Sequence, residues 1–160
     1  MKQRVIYPGT FDPVTFGHLD IIQRALQIFP EVIVAVAPNP LKSPLFGLQE
    51  RMDMLKQATA RFKGVTIKPF NGLAVEFARK EKAKVLVRGI RMLSYFEYEF
   101  QMALSNRKLA PDIETIFPMP QESHSYTSSK LLKEAAGLGA DVRPFVPDFV
   151  ARRLAAKLKR

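Results

Sequence analysis

Thr10 and His18 sit near the two ends of the run YPGTFDPVTFGHLD, which joins an apolar stretch to an amphipathic one. A turn is expected there, but a surface turn does not need a hydroxyl, an imidazole and two glycines placed around two prolines. Gly9 suggests a backbone that approaches a ligand closely, with the Thr10 hydroxyl aimed the same way. Gly17 and His18 fall where a helix should begin, so free backbone N–H groups and the positive dipole end face the same space, an arrangement that binds phosphate. A histidine at such a place loses its proton readily, whereas a bound triphosphate would pull the other way, and sequence leaves its charge state open.

Two further runs carry compatible chemistry. VLVRGIR places Arg88 at a strand end, lets the backbone turn at Gly89, and sets Arg91 close behind, a clamp suited to phosphate oxygens. SHSYTSSKLLKE gathers hydroxyls ahead of a helix, with Ser128 or Ser129 as its cap. Other chemistries lack their signatures. There is no GxxxxGK[ST], no GxGxxG after the first strand, no GxSxG and no HExxH, and two distant histidines make a poor metal site. Without cysteine there is no thiolate nucleophile and no disulfide. Phosphoryl or nucleotidyl transfer needs none of these, because positioning and stabilisation of developing charge suffice.

The elements that must position these residues follow from periodicity. Short β-branched runs alternate with helical patterns: RVIY, EVIVAVA, VTIKPF, KVLV and IETIFPM are each followed by an amphipathic stretch, and a last helix follows Pro147. Five strand-helix units predict a parallel sheet with helices on both faces. The second and fourth strands lack polar alternation, as strands buried between helix layers do. In such sheets ligands lie beyond the carboxyl ends of the strands. The residues expected there are Thr10 and His18; Asn39 and Lys42; Asn71 and Gly72; Arg88, Gly89 and Arg91; and the run from His124 to Ser129, with few acids, Asp12 and Glu122 among them.

At 160 residues, 47% hydrophobic and 25% charged, the chain reads as one domain over 1–160 ending in a helix. A formal net charge of +10 would attract nucleic acid, an anionic membrane or a polyanionic small ligand alike. Much of it lies in VARRLAAKLKR, where Val150, Leu154 and Leu158 recur at helical spacing. The basic residues Arg152, Arg153, Lys157, Lys159 and Arg160 then read as a solvated face of a helix packed on its own domain. The apolar run VIVAVAP is far shorter than the roughly 20 residues a bilayer needs, so a soluble cytoplasmic protein is expected.

Taken together, GTFDPVTFGH, VRGIR, FEYEFQMALSNRKLAP and SSKLLKE resemble the phosphopantetheine adenylyltransferases, bacterial enzymes of coenzyme A synthesis in the nucleotidyltransferase superfamily. The resemblance covers nearly the whole chain, with Thr15 in the first His position of the superfamily's HxGH pattern. It implies a Rossmann-like, doubly wound, five-stranded parallel sheet and a homohexamer. The implied activity is transfer of AMP from ATP, bound with Mg2+, to 4'-phosphopantetheine, giving dephospho-coenzyme A and pyrophosphate, with neither nucleic acid nor membrane as partner. By matching motif, ATP-contacting positions are Thr10, Phe11, His18, Gly89, Ile90, Arg91, Glu99, His124, Ser125, Tyr126, Thr127, Ser128, Ser129 and Lys130. Those contacting the acceptor are Thr10, Lys42, Ala74 and Arg88. The catalytic set is His18, Thr10, Lys42 and Arg91, with no metal ligand from the protein. Lys130 stands where the family has a small hydroxyl residue, Tyr95 replaces an acid before FEYE, and His124 occupies a variable position. The alternatives are a nucleotidyltransferase for another small acceptor, such as nicotinamide mononucleotide or a cytidylated alcohol phosphate, and a basic nucleic-acid-binding domain.

Overall fold

Val5, Ile6, Val32, Val34 and Val36 have no exposed surface, and β-branched residues of this kind, buried on both sides, build the middle of a sheet. The computed structural model describes residues 3–91 and 93–159. These form five strands: β1 (Arg4–Gly9), β2 (Glu31–Val36), β3 (Val65–Pro69), β4 (Val85–Val87) and β5 (Glu114–Ile116). Six α-helices accompany them: α1 (Phe16–Ile28), α2 (Leu48–Ala58), α3 (Ala74–Lys80), α4 (Leu93–Leu109), α5 (Ser129–Gly137) and α6 (Asp148–Leu158). The strands pair in parallel in the order β3-β2-β1-β4-β5, with Tyr7 opposite Val34 and Ile6 opposite Leu86.

Strand alternation sorts the core into two. Val5, Tyr7, Val32, Val34 and Val36 point to one face, where they meet residues of α1, α2, α5 and α6, including Ile22, Leu55, Leu132 and Leu154. Ile6, Ile33, Ala35 and Leu86 point to the other, where Val75 and Ala78 of α3 meet them. Both faces are covered, which is why β2 shows no polar alternation. The architecture is the doubly wound α/β sheet expected from the sequence.

Two details depart from the sequence pattern. IETIFPM is ordered as a strand over three residues only, β5, because Pro118 and Pro120 cannot donate to a ladder and end pairing at the sheet edge. The fourth helix starts earlier than its apolar pattern, at Leu93. The C-terminal helix is as expected: Val150 and Leu154 are buried and Arg152 and Arg153 exposed, while Arg160 lies outside the described residues. Among the described residues no helix is long and apolar enough to cross a membrane.

Candidate active site

The winding of the sheet reverses between β1 and β4, so the loops leaving these two strands diverge and open a crevice at their carboxyl ends. Thr10 leaves β1 at this point and Arg88 leaves β4 beside it; Arg88 Nη1 donates to the Pro8 carbonyl, closing the floor between them. The loops after β2 and β3, carrying Lys42 and Ala74, lie to one side of β1. Those after β4 and β5, carrying Gly89 to Arg91 and His124 to Lys130, lie to the other.

Thr15 caps α1, and this cap defines His18. The His18 N–H donates to Thr15 Oγ1 at 3.3 Å, and the Thr15 N–H donates back to His18 Nδ1 at 3.0 Å. A ring nitrogen that accepts from a backbone N–H carries no proton, so neutral His18 bears its proton on Nε2, which has no partner among the described residues. Burial, then the nearby cations Arg91 and Arg88, push the His18 pKa down to about 3. Both arginines are near enough to act on this imidazole electrostatically. In the ligand-free crevice His18 is therefore held neutral, with a proton on Nε2 to donate, a state that sequence alone left open.

Beneath it the Phe11 ring lies edge-on to His18 with centroids 4.9 Å apart, and Tyr7 lies edge-on to Phe11 at 5.2 Å. Phe11 is buried, so its backbone, held at φ 51°, is what it presents toward the mouth. Burial pushes the Tyr7 hydroxyl up to about 12, so it stays protonated. The close approach expected at Gly9 turns inward: a Cβ there would come within 2.9 Å of the Phe11 ring, so what demands glycine is the protein's own aromatic rather than a ligand.

Arg88 is an anchored cation. Its Nε and Nη2 donate to the two Glu99 carboxylate oxygens at 2.9 and 2.7 Å, a bidentate pair at the inner end of the crevice. Burial works against the Arg88 charge, but the hydrogen bonds and charge of Glu99 outweigh it and raise its pKa. Three of its five N–H donors are thus engaged, counting the bond to Pro8, and two remain for a ligand. Arg91 is freer. Its guanidinium lies 5.6 Å from the Tyr95 ring centroid and makes one long contact, 3.4 Å, to the Thr127 carbonyl.

The last loop forms the far wall. Ser128 is the cap of α5, accepting from the Leu131 N–H at 3.1 Å, and Ser129 Oγ donates to the Pro13 carbonyl, tying α5 to the first loop. Ser125 Oγ is turned to the Glu122 carbonyl, and His124 packs its Cβ over Gly17. A cavity of about 290 Å³ lies between this loop and α4, lined by Arg91, Tyr95, Tyr126, Thr127, Lys130 and Glu134, among others. Thr127 Oγ1 is buried there without a partner among the described residues, a group whose desolvation a ligand could offset. Lys42 is exposed on a single 3-10 turn after β2, and Ala74 begins α3.

Three residues take parts in the site that the sequence reading does not assign: it places Asn39 and Asp12 at the ligand edge without these partners, and does not single out Arg51 at all. Asn39 Nδ2 donates to Thr10 Oγ1 at 2.8 Å. Arg51, 1% exposed, donates to the carbonyls of Thr10, Ala37, Pro38 and Phe46, stitching together the loops after β1 and β2. Its signal was an arginine on the inward stripe of Leu48, Met52 and Leu55. Asp12, an acid expected at the ligand edge, is instead buried, accepting from the Leu45 and Phe46 N–H groups and from Lys133 Nζ. Among the described residues no cluster of three His, Cys, Asp or Glu could hold a metal.

Residues 6–135 match the cytidylyltransferase-like family. A phosphopantetheine adenylyltransferase of Caldanaerobacter subterraneus subsp. tengcongensis is 52% identical over 155 residues, 97% of this chain and 97% of its own. Two solved structures share the fold at low identity. The bifunctional NMN adenylyltransferase/ADP ribose pyrophosphatase of Francisella tularensis, complexed with AMP and a manganese ion, superposes with a TM-score of 0.72 and 16% identity over all of this chain and 50% of its own. A lipopolysaccharide core biosynthesis protein of Thermoplasma volcanium superposes with 0.59 and 17%, over 76% of this chain and all of its own.

Proposed function

This chain belongs to the cytidylyltransferase-like nucleotidyltransferases and, within them, to the phosphopantetheine adenylyltransferases, and from that premise we propose how its crevice carries the reaction. The reaction is transfer of AMP from ATP to 4'-phosphopantetheine, giving dephospho-coenzyme A and pyrophosphate. A phosphate oxygen of the acceptor attacks the α-phosphorus of ATP. A new P–O bond forms as the bond from that phosphorus to the bridging oxygen breaks, and the electron pair leaves with pyrophosphate. No enzyme group becomes covalently attached.

One observation carries this reading: neutral donors and cations converge at the reversal point of the sheet. The Nε2 proton of His18 and the Thr10 hydroxyl supply donors to the reacting phosphate without ionising. Arg91 and Lys42 supply charge from the two sides of β1. The sheet order supports a division of labour, with ATP over Gly89, Ile90, Arg91, Glu99 and the His124 to Lys130 loop, and the acceptor over Lys42 and Ala74. Arg88, anchored by Glu99 beside Thr10, stands where the two substrates would meet. Magnesium would enter on the phosphates of ATP as part of the substrate, because Asp12 and Glu99 are committed to Lys133 and Arg88 and no cluster of three acids or histidines among the described residues could hold it.

The oligomer belongs to the same proposal. Phe96, Phe100 and Leu104 form an i, i+4, i+8 stripe on α4, 40 to 50% exposed, with Phe96 and Phe100 stacked. An apolar stripe of this kind supports burial against further copies in a homohexamer. The proposed compartment is the cytoplasm, since both substrates are polyanions that do not cross a bilayer unaided.

The test is pyrophosphate release from ATP and magnesium with 4'-phosphopantetheine, nicotinamide mononucleotide or an alcohol phosphate as acceptor, and with CTP replacing ATP. Release is expected with ATP and 4'-phosphopantetheine, and to stop on chelation of magnesium. Preference for another acceptor, or for CTP, would overturn the substrate assignment.

A further inference from the structure

A hydroxyl can donate one proton and accept through its oxygen, and what it offers a ligand depends on which of these the protein has already used. Asn39 Nδ2 donates to Thr10 Oγ1 at 2.8 Å, so the oxygen is used as acceptor. The Thr10 proton has no acceptor among the described residues. Both partners hang from one buried cation: Arg51 Nη1 holds the Thr10 and Ala37 carbonyls at 2.7 Å each, and Arg51 Nη2 holds the Pro38 carbonyl, next to Asn39, at 3.0 Å. Asn39 adopts φ 49° and ψ 54°, left-handed backbone that asparagine tolerates better than most residues, and this aims its amide back toward β1.

We propose that Asn39 is a positioning residue for the transfer: by occupying the Thr10 oxygen it commits the Thr10 proton to an oxygen of the reacting phosphate. The inference rests on the reading of Thr10 as a phosphate donor given above. Without the amide, the hydroxyl would be free to rotate and to spend its proton on another acceptor, and the donor would no longer be preorganised. Asn39 acts through Thr10, so its effect should vanish where Thr10 has no hydroxyl.

The test is a double-mutant cycle on the full chain with Asn39→Gly, whose backbone adopts the left-handed conformation freely, and Thr10→Val. Pyrophosphate release with ATP and 4'-phosphopantetheine gives kcat and KM, and a thermal midpoint confirms that each variant folds. Asn39→Gly is expected to lower kcat about tenfold, a fraction of the loss for removing a preorganised donor outright, with KM for ATP within about twofold of wild type. Thr10→Val should lose at least as much, and the double variant no more than Thr10→Val alone. Wild-type kcat in Asn39→Gly, or losses that multiply in the double variant, would overturn the proposal while leaving the transfer reading standing; wild-type kcat in Thr10→Val would overturn it together with the reading of Thr10 as a phosphate donor. A wild-type protein silent with both substrates would overturn the transfer reading and the role of Asn39 with it.

Discussion

At the scale of single residues, His18 does two things that both require its neutral ring. As the third residue of α1 it accepts the Thr15 N–H, so it stabilises the helix start; as a half-buried imidazole beside Arg88 and Arg91 it resists protonation. Its folded pKa of about 3 lies below the ordinary 6.5, so between these values the unfolded chain binds more protons than the folded one. Stability from this group is therefore complete above pH 6.5 and lost as pH falls toward 3. His18→Ala should cost about 1 kcal/mol at pH 7, the worth of a cap, and this deficit should shrink or invert by pH 4 in urea titrations at both pH values. A deficit that stays constant would show that the imidazole is not held neutral. Turnover of the same variant should fall roughly 100 to 1000-fold, as for loss of one preorganised donor, and a variant of near-normal turnover would remove His18 from the mechanism. Thr10, His18 and Arg91 could be picked out as candidates for phosphate contact because phosphate chemistry restricts the residue types. The tautomer could not, since it depends on a backbone N–H that only the folded cap supplies.

At the scale of elements, the loop after β1 is shaped by charges that sequence could not assign. Asp12 accepts from Leu45 N–H and Phe46 N–H at 2.9 Å each and from Lys133 Nζ at 2.6 Å, so one carboxylate joins the first loop, the approach to α2, and α5. With 4% exposure it has no water to fall back on. Asp12→Asn would set an amide N–H₂ against donors and should cost about 3 kcal/mol in chemical denaturation, as breaking a buried pair does. Lys133→Met removes the counter-ion at its partly exposed end but leaves the buried carboxylate its two backbone donors, and should cost less, about 1 to 2 kcal/mol. Equal losses would mean that the ion pair, rather than the backbone bonds, holds the loop. The helices were readable from apolar periods near four, and the strands from short β-branched runs between turn residues, although β2 and β4 show no alternation. Arg51 was not, because a charged residue on the inward stripe of α2 gains its place from four carbonyls brought together by other segments.

At the scale of the molecule, parallel strands guarantee that all their carboxyl ends share one rim, which is why donors scattered from Thr10 to Lys130 could be expected together. Strand order is a different matter: that β1 and β4 adjoin, and so that His18 faces Arg88 and Arg91, depends on crossovers that local periodicity does not encode. Arg4, Arg24, Lys68, Arg79, Arg107, Arg143 and Lys157 are paired with acids around the surface, so the net charge of +10 is carried by the other basic residues.

Helix α4 couples this scale to the site. Its exposed stripe of Phe96, Phe100 and Leu104 is the face proposed to meet other copies, while Glu99, between Tyr98 and Phe100, turns inward to hold Arg88. Placing a carboxylate on the stripe should block assembly, because an unpaired charge cannot be buried between apolar surfaces. Phe100→Glu is therefore expected to shift the mass in sedimentation from the proposed six chains to fewer. With α4 no longer braced by a neighbour, Glu99 should hold Arg88 less firmly, and KM for 4'-phosphopantetheine should rise more than KM for ATP. A wild-type protein that sediments as a single chain, or a variant that keeps the six-chain mass, would contradict the proposed interface. An equal rise in both KM values would separate the interface from the Arg88 anchor.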